Sequence, residues 1–101
     1  MKQCYHLFVS GKVQGVFFRE STRQQAVARG VSGWVRNRYD GRVEVFLCGE
    51  DLALAAMLKW LKIGPQYAKV TDVDYKEVAC NKFIMAIDNA QVASFDVRET
   101  V

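Results

Sequence analysis

The chain has 101 residues, 50% hydrophobic and 25% charged, with fourteen Lys and Arg against eleven Asp and Glu. That length and balance predict one globular domain, residues 1–101, with a sizeable core; they exclude a disordered or low-complexity chain, and no apolar run is long enough to cross a bilayer. The net charge of +3 comes from dispersed cations interleaved with acids, which argues against a nucleic-acid-binding stripe and favours a small anionic ligand.

Met1-Lys2-Gln3-Cys4 leads into an alternating run rather than a signal-peptide core, so the expected compartment is the cytoplasm. Residues 4–10 are expected as a first strand, with Tyr5, Leu7 and Val9 on one face. Next comes Gly11-Lys12-Val13-Gln14-Gly15-Val16-Phe17-Phe18-Arg19, a loop with two glycines that opens a helix over 20–29. Phe18, Thr22 and Ala26, spaced by four, mark the buried side of that helix, and Gly30 is its C-cap. A second strand is expected over 31–37, with Val31, Gly33 and Val35 on one face. A turn around Asp40-Gly41 and a third strand over 42–48 follow.

Gly49-Glu50-Asp51 begins a second helix, with acids at its positive end. Leu54, Met57, Leu58 and Leu61 form its apolar stripe, and Gly64-Pro65 stops it. Residues 69–78 read as a fourth strand with Val73 and Tyr75 inward, and Phe95 and Val97 as a short last strand. Residues 79–92 stay ambiguous between them, since Asp88-Asn89 interrupts an apolar run. The order is the split βαβ pattern of an α+β, ferredoxin-like sandwich: an antiparallel sheet with two helices on one face, plus a short C-terminal edge strand. That fold hosts many unrelated activities, so function has to be argued from a site.

The first and second strands run the same way in this topology, so their C-terminal ends share one edge of the sheet. Arg19 and Asn37 are thereby brought to one place. A two-glycine loop opening a helix gathers free backbone N–H groups at the positive end of the helix dipole. Arg19 adds a planar, permanently charged fork suited to phosphate oxygens. The rival readings are structural: a tight turn for the loop, turn chemistry for Asn37, and packing for Phe17 and Phe18, with Phe17 alternatively bordering a ligand. His6 is expected to be an outward-facing strand residue with no chemical role. Cysteines at 4, 48 and 80 lack metal-ligand spacing, and one histidine cannot complete a zinc set, so no metal is expected.

The nine residues 11–19 resemble the first signature of the acylphosphatase family. Gly33-Trp34-Val35-Arg36-Asn37, Asp40-Gly41-Arg42-Val43-Glu44 and Gly49 resemble its second. Gly64-Pro65, Ala68 and Val70 sit where that family carries its helix-ending turn and fourth strand. The resemblance spans roughly residues 5–78, with a weaker echo in Ser94-Phe95-Asp96-Val97-Arg98. It implies hydrolysis of a carboxyl–phosphate anhydride to a carboxylate and inorganic phosphate, without metal or organic cofactor. It further implies that Arg19 and the N–H groups of Gln14, Gly15, Val16, Phe17, Phe18 and Arg19 hold phosphate, while Asn37 orients the attacking water. The implied partners are a small acyl phosphate and inorganic phosphate as product and inhibitor, with no nucleic acid or membrane, for a monomer.

Two rival functions accompany this reading: a non-catalytic module binding phosphate or carbamoyl phosphate, and an RNA-binding protein using Phe8, Trp34 and Phe46 on the sheet face away from the helices. Residues 42–49 lack the aromatic–glycine pattern of RNA-recognition modules. A minor core, partly covered by the segment around Phe83 to Ile87, is the expected role of those rings. In this fold Cys4 and Cys48 face each other on antiparallel neighbours. A disulfide there is geometrically permitted, although reduced thiols are the default in the cytoplasm.

Overall fold

The computed structural model describes residues 2–79 and 95–101. Its elements are β1 (Lys2–Lys12), α1 (Phe18–Ala28), β2 (Ser32–Asn37), β3 (Val43–Glu50), α2 (Asp51–Leu61), β4 (Lys69–Val78) and β5 (Phe95–Val97). The strands form one sheet in the order β4-β1-β3-β2-β5. The expected cover around Phe83 to Ile87, the ambiguous stretch beyond Ala79, and Cys80 lie outside the described residues. No helix among the described residues is long and apolar enough to cross a membrane.

β1 and β2 both pair antiparallel with β3, so they run in the same direction and end at the same edge. β5 pairs parallel with β2, through Gly33–Phe95, Trp34–Asp96 and Val35–Val97, so the sheet is mixed.

Leu7 and Val9 of β1, Val35 of β2, and Val43, Val45 and Leu47 of β3 project to one face by strand alternation. Phe18 and Ala26 of α1 meet them, with Leu54, Met57 and Leu61 of α2. Each of the Val, Leu, Met and Phe side chains among them, fully buried, stabilises the fold by about 1.5–3 kcal/mol. Thr22 lies in the same layer, its hydroxyl donating to the Phe18 carbonyl at 2.7 Å, so its burial leaves no polar atom unmatched. Tyr75, expected inward, is 46% exposed because β4 is the sheet edge; it meets Tyr5 edge to face, centroids 5.7 Å apart. On the opposite face Trp34 and Phe46 stack against the Cys4–Cys48 pair. The structure joins those cysteines as a disulfide across the β1–β3 register, Cα atoms 4.1 Å apart.

β1 runs two residues further than the alternation predicts, because Gly11 and Lys12 still pair with Val70 and Lys69 of β4 past a bulge at Ser10–Gly11. Gly11 has φ +119°, and a Cβ there would lie 2.1 Å from the Lys69 carbonyl oxygen. Backbone, not a movable side chain, fills that space. Gly11→Ala is expected to destabilise the protein by about 2–4 kcal/mol, read as a lower urea midpoint, with the strand-to-loop junction displaced.

Candidate active site

Between β1 and α1, Val13 and Val16 insert into the core, as does Phe18 at the first helical position. These three anchors fix the apolar side of the loop and leave Gly15 and Phe17 exposed. Gly15 has φ +74°. Phe17 is the only described non-glycine residue with positive φ, at φ 60° and ψ 27°. Its ring is 82% exposed, which corrects the packing role expected for it; Phe18 does pack. A left-handed phenylalanine costs about 1–3 kcal/mol and persists only where the surroundings impose it.

Phe17 occupies the N-cap of α1 and supplies no side-chain cap. Among the described residues, no carbonyl or side-chain oxygen accepts from the N–H groups of residues 14–19. The loop therefore presents a run of unused donors at the positive end of α1.

A cleft of about 370 Å³ opens at this point, lined by Gly15, Phe17, Arg19, Glu20, Asn37 and Val97 among others. The two residues expected to work together do share it: Arg19 enters from the start of α1 and Asn37 from the end of β2. Among the described residues Arg19 has no hydrogen-bond, ion-pair or ring partner. The other arginines all do. Arg23 grips Glu20, Arg29 reaches Gln25, Arg36 and Arg38 reach Glu44, Arg42 reaches Asp40, and Arg98 stacks 4.9 Å from the Trp34 ring centre. The Asn37 side-chain amide is likewise without a partner among the described residues. A free cation and a free amide thus face the same space.

The remaining lining carboxylate is committed elsewhere. Glu20 accepts from Arg23 Nε at 2.9 Å and Nη2 at 2.6 Å, and these bonds hold its carboxyl below the ordinary glutamate range. Among the described residues no group of three or more His, Cys, Asp or Glu side chains is placed to hold a metal ion.

The hairpin after Asn37 is tied from several directions. Gln14 Nε2 donates to the carbonyls of Arg38 at 2.7 Å and Arg42 at 2.9 Å, joining the glycine loop directly to the turn. Asp40 accepts from the Arg42 guanidinium at 2.7 Å and backbone N–H at 3.1 Å, which keeps its carboxyl far below the usual range. The Val101 N–H donates to the Asn37 carbonyl at 3.1 Å, and the Tyr39 N–H to the Val101 carbonyl at 2.7 Å. Neither the Gln14 side-chain role nor the C-terminal strap is visible in the sequence, where no periodicity marks either.

His6 does not simply face solvent. Its Nε2 lies 2.5 Å from Glu44 Oε2, on the sheet face opposite the core.

Over residues 5–94 the chain matches the family model described as Acylphosphatase. It is 54% identical over 72 residues to an acylphosphatase of Thiobacillus denitrificans, covering 71% of this chain and 81% of that protein. Among solved structures it resembles an acylphosphatase from Coxiella burnetii, with TM-score 0.81 and 39% identity over 96% of this chain and 93% of the other. The acylphosphatase from Bacillus subtilis follows, with TM-score 0.80 and 35% identity over 97% and 99% of the two chains.

Proposed function

Because the chain belongs to the acylphosphatase family and hydrolyses acyl phosphates, we propose a division of labour in the cleft. The phosphoryl group is held by the guanidinium of Arg19 and the N–H groups of Gln14, Gly15, Val16, Phe17, Phe18 and Arg19. The side-chain amide of Asn37 orients the water. The observation that carries this reading is the coincidence of an unpartnered arginine with a run of unused N–H donors in one cleft. The buried side chains of Val16 and Phe18 contribute only their backbone donors.

The chemistry asks little more of the protein. Phosphoryl transfer through a loose transition state needs positioning and stabilisation of charge on the equatorial oxygens. Water attacks phosphorus as the bond from phosphorus to the bridging oxygen breaks. The electron pair of that bond leaves with the carboxylate, which needs no protonation. One proton of the water passes late to a phosphoryl oxygen, giving the free carboxylate and dihydrogen phosphate. Asn37 aligns the water by accepting one of its hydrogens, because an amide is no strong base. Glu20, tied to Arg23, is not called on. The exposed ring of Phe17 and the Val97 side chain border the mouth, where the acyl group extends.

The protein acts on its small substrate as a monomer in this reading. The long edge strand β4 carries Lys69, Asp72, Asp74, Lys76 and Glu77, and charges on an edge oppose strand addition by another chain.

Titration of inorganic phosphate into isotopically labelled protein tests the assignment. The backbone amide signals of residues 14–19 are expected to move with the same midpoint as competitive inhibition of acyl phosphate hydrolysis. Inhibition that leaves those amides unmoved would place phosphate elsewhere and overturn it.

A further inference from the structure

We propose that Glu44, on the sheet face away from the cleft, is a positioning residue for hydrolysis that acts through Arg36 and Arg38 to fix the direction of Asn37. The proposal rests on the role given to Asn37 above. Glu44 is only 4% exposed. A carboxylate buried so deeply is tolerated only when both oxygens are satisfied. Its Oε1 accepts from Arg36 Nε at 2.8 Å and Arg38 Nη1 at 3.0 Å, and its Oε2 meets His6 Nε2. Burial pushes its pKa up, but the bonds from Arg36, His6 and Arg38 outweigh that and hold it below the ordinary range, so it stays charged.

Arg36 and Arg38 are the two neighbours of Asn37 in the chain. Successive strand side chains alternate between faces. Holding residues 36 and 38 on the back face therefore leaves Asn37 to project to the front, into the cleft. Each guanidinium also lies over an aromatic ring: Arg36 4.7 Å from the Trp34 centre, Arg38 5.5 Å from that of Phe8. The clamp sits where it is needed. Past the Val35–Val97 pair the outer side of β2 is held by backbone bonds alone, from the Arg98 N–H to the Val35 carbonyl and from the Val101 N–H to the Asn37 carbonyl, which fix the main chain but do not touch the Asn37 side chain. His6 extends the clamp to β1, the strand that delivers the glycine loop.

Glu44→Gln keeps the shape and removes the charge. It is expected to lower kcat about 10-fold, in line with the sensitivity of transfer reactions to small misplacements, while the inhibition constant of inorganic phosphate stays within about 2-fold. The side-chain amide signal of Asn37, identified by its loss in Asn37→Ala, is expected to broaden or double in the same variant. An unchanged kcat overturns the proposal. So does an equal loss of kcat and phosphate affinity, which would mean general loosening of the fold. Should Glu44→Gln fail to fold, Arg38→Gln removes one arm from a side chain that is 30% exposed. It is expected to lower kcat about 3-fold with phosphate inhibition unchanged, and an unaltered kcat there is equally fatal. If Asn37→Ala itself retains kcat, the role of Asn37 falls and this proposal with it. If only the Glu44 and Arg38 variants retain it, this proposal alone falls.

Discussion

Arg19→Ala is expected to lower kcat/KM for benzoyl phosphate by about 10³-fold or more, the range over which a transition-state arginine contributes to phosphoryl transfer. Phosphate inhibition should be lost in parallel, since on the proposed assignment the same guanidinium contacts the ground-state and product phosphate. Arg19→Lys should recover only a small part of the activity. An ammonium offers a point charge where the fork offers two parallel donors. Stability should move the other way. Arg19 is a cation at the positive end of α1 with no partner among the described residues, an arrangement unfavourable by about 0.3–1 kcal/mol. Arg19→Ala should therefore match or exceed the wild type in thermal midpoint. A variant that loses activity and unfolds several degrees earlier would show Arg19 to be a structural residue and contradict the reading.

That opposition between stability and activity recurs around the cleft. Phe17 holds a left-handed backbone with its ring in water, and α1 starts without a side-chain cap. Each choice is locally unfavourable, and each goes with loop donors that no described group accepts from. Sites that bind tightly charged transition states commonly concentrate such features, because preorganised donors cannot also be satisfied internally.

The apolar alternation of Leu7 and Val9, of Val43, Val45 and Leu47, and the Phe18–Thr22–Ala26 spacing were legible in the sequence because each repeats with the period of its element. The convergence of Arg19 and Asn37 was legible for a related reason: strand direction alone brings both to one edge. What stayed hidden depends on single long-range contacts. Nothing in the pattern around Gln14 marks a side chain that reaches carbonyls 24 and 28 positions away. Glu44 reads as an ordinary alternate-face polar residue, and only the fold shows that its face is covered by His6, Arg36 and Arg38. For Phe17 the sequence left packing and bordering a ligand both open; its left-handed backbone and exposed ring at the cleft set packing aside. Helix and strand ends shifted by one or two residues, as at Lys12 and Phe18, where pairing with β4 and the core contact of Phe18 override local signals.

Asn37→Ala is the second large effect expected, and its signature differs from that of Arg19. kcat should fall about 10²–10³-fold, the loss typical of removing one group that positions or stabilises charge in the transition state, while phosphate inhibition stays within about 2-fold. In the proposed arrangement the amide touches the attacking water and not the phosphate oxygens, so ground-state binding has no reason to change. Folding has little reason to change either. The Asn37 side chain has no partner among the described residues, and its strand pairing with Val43 and carbonyl bond from Val101 are backbone contacts that alanine keeps. Asn37→Asp separates orientation from simple acceptance of a proton. It retains an acceptor oxygen but replaces the donor and sets a negative charge beside a phosphate dianion. Both kcat and phosphate affinity should therefore worsen, and more so at low ionic strength, where like charges are least screened. Were Asn37→Asp to match or exceed wild-type turnover, the residue would be a base, and the account of a late proton transfer to the substrate's own oxygen would have to be abandoned.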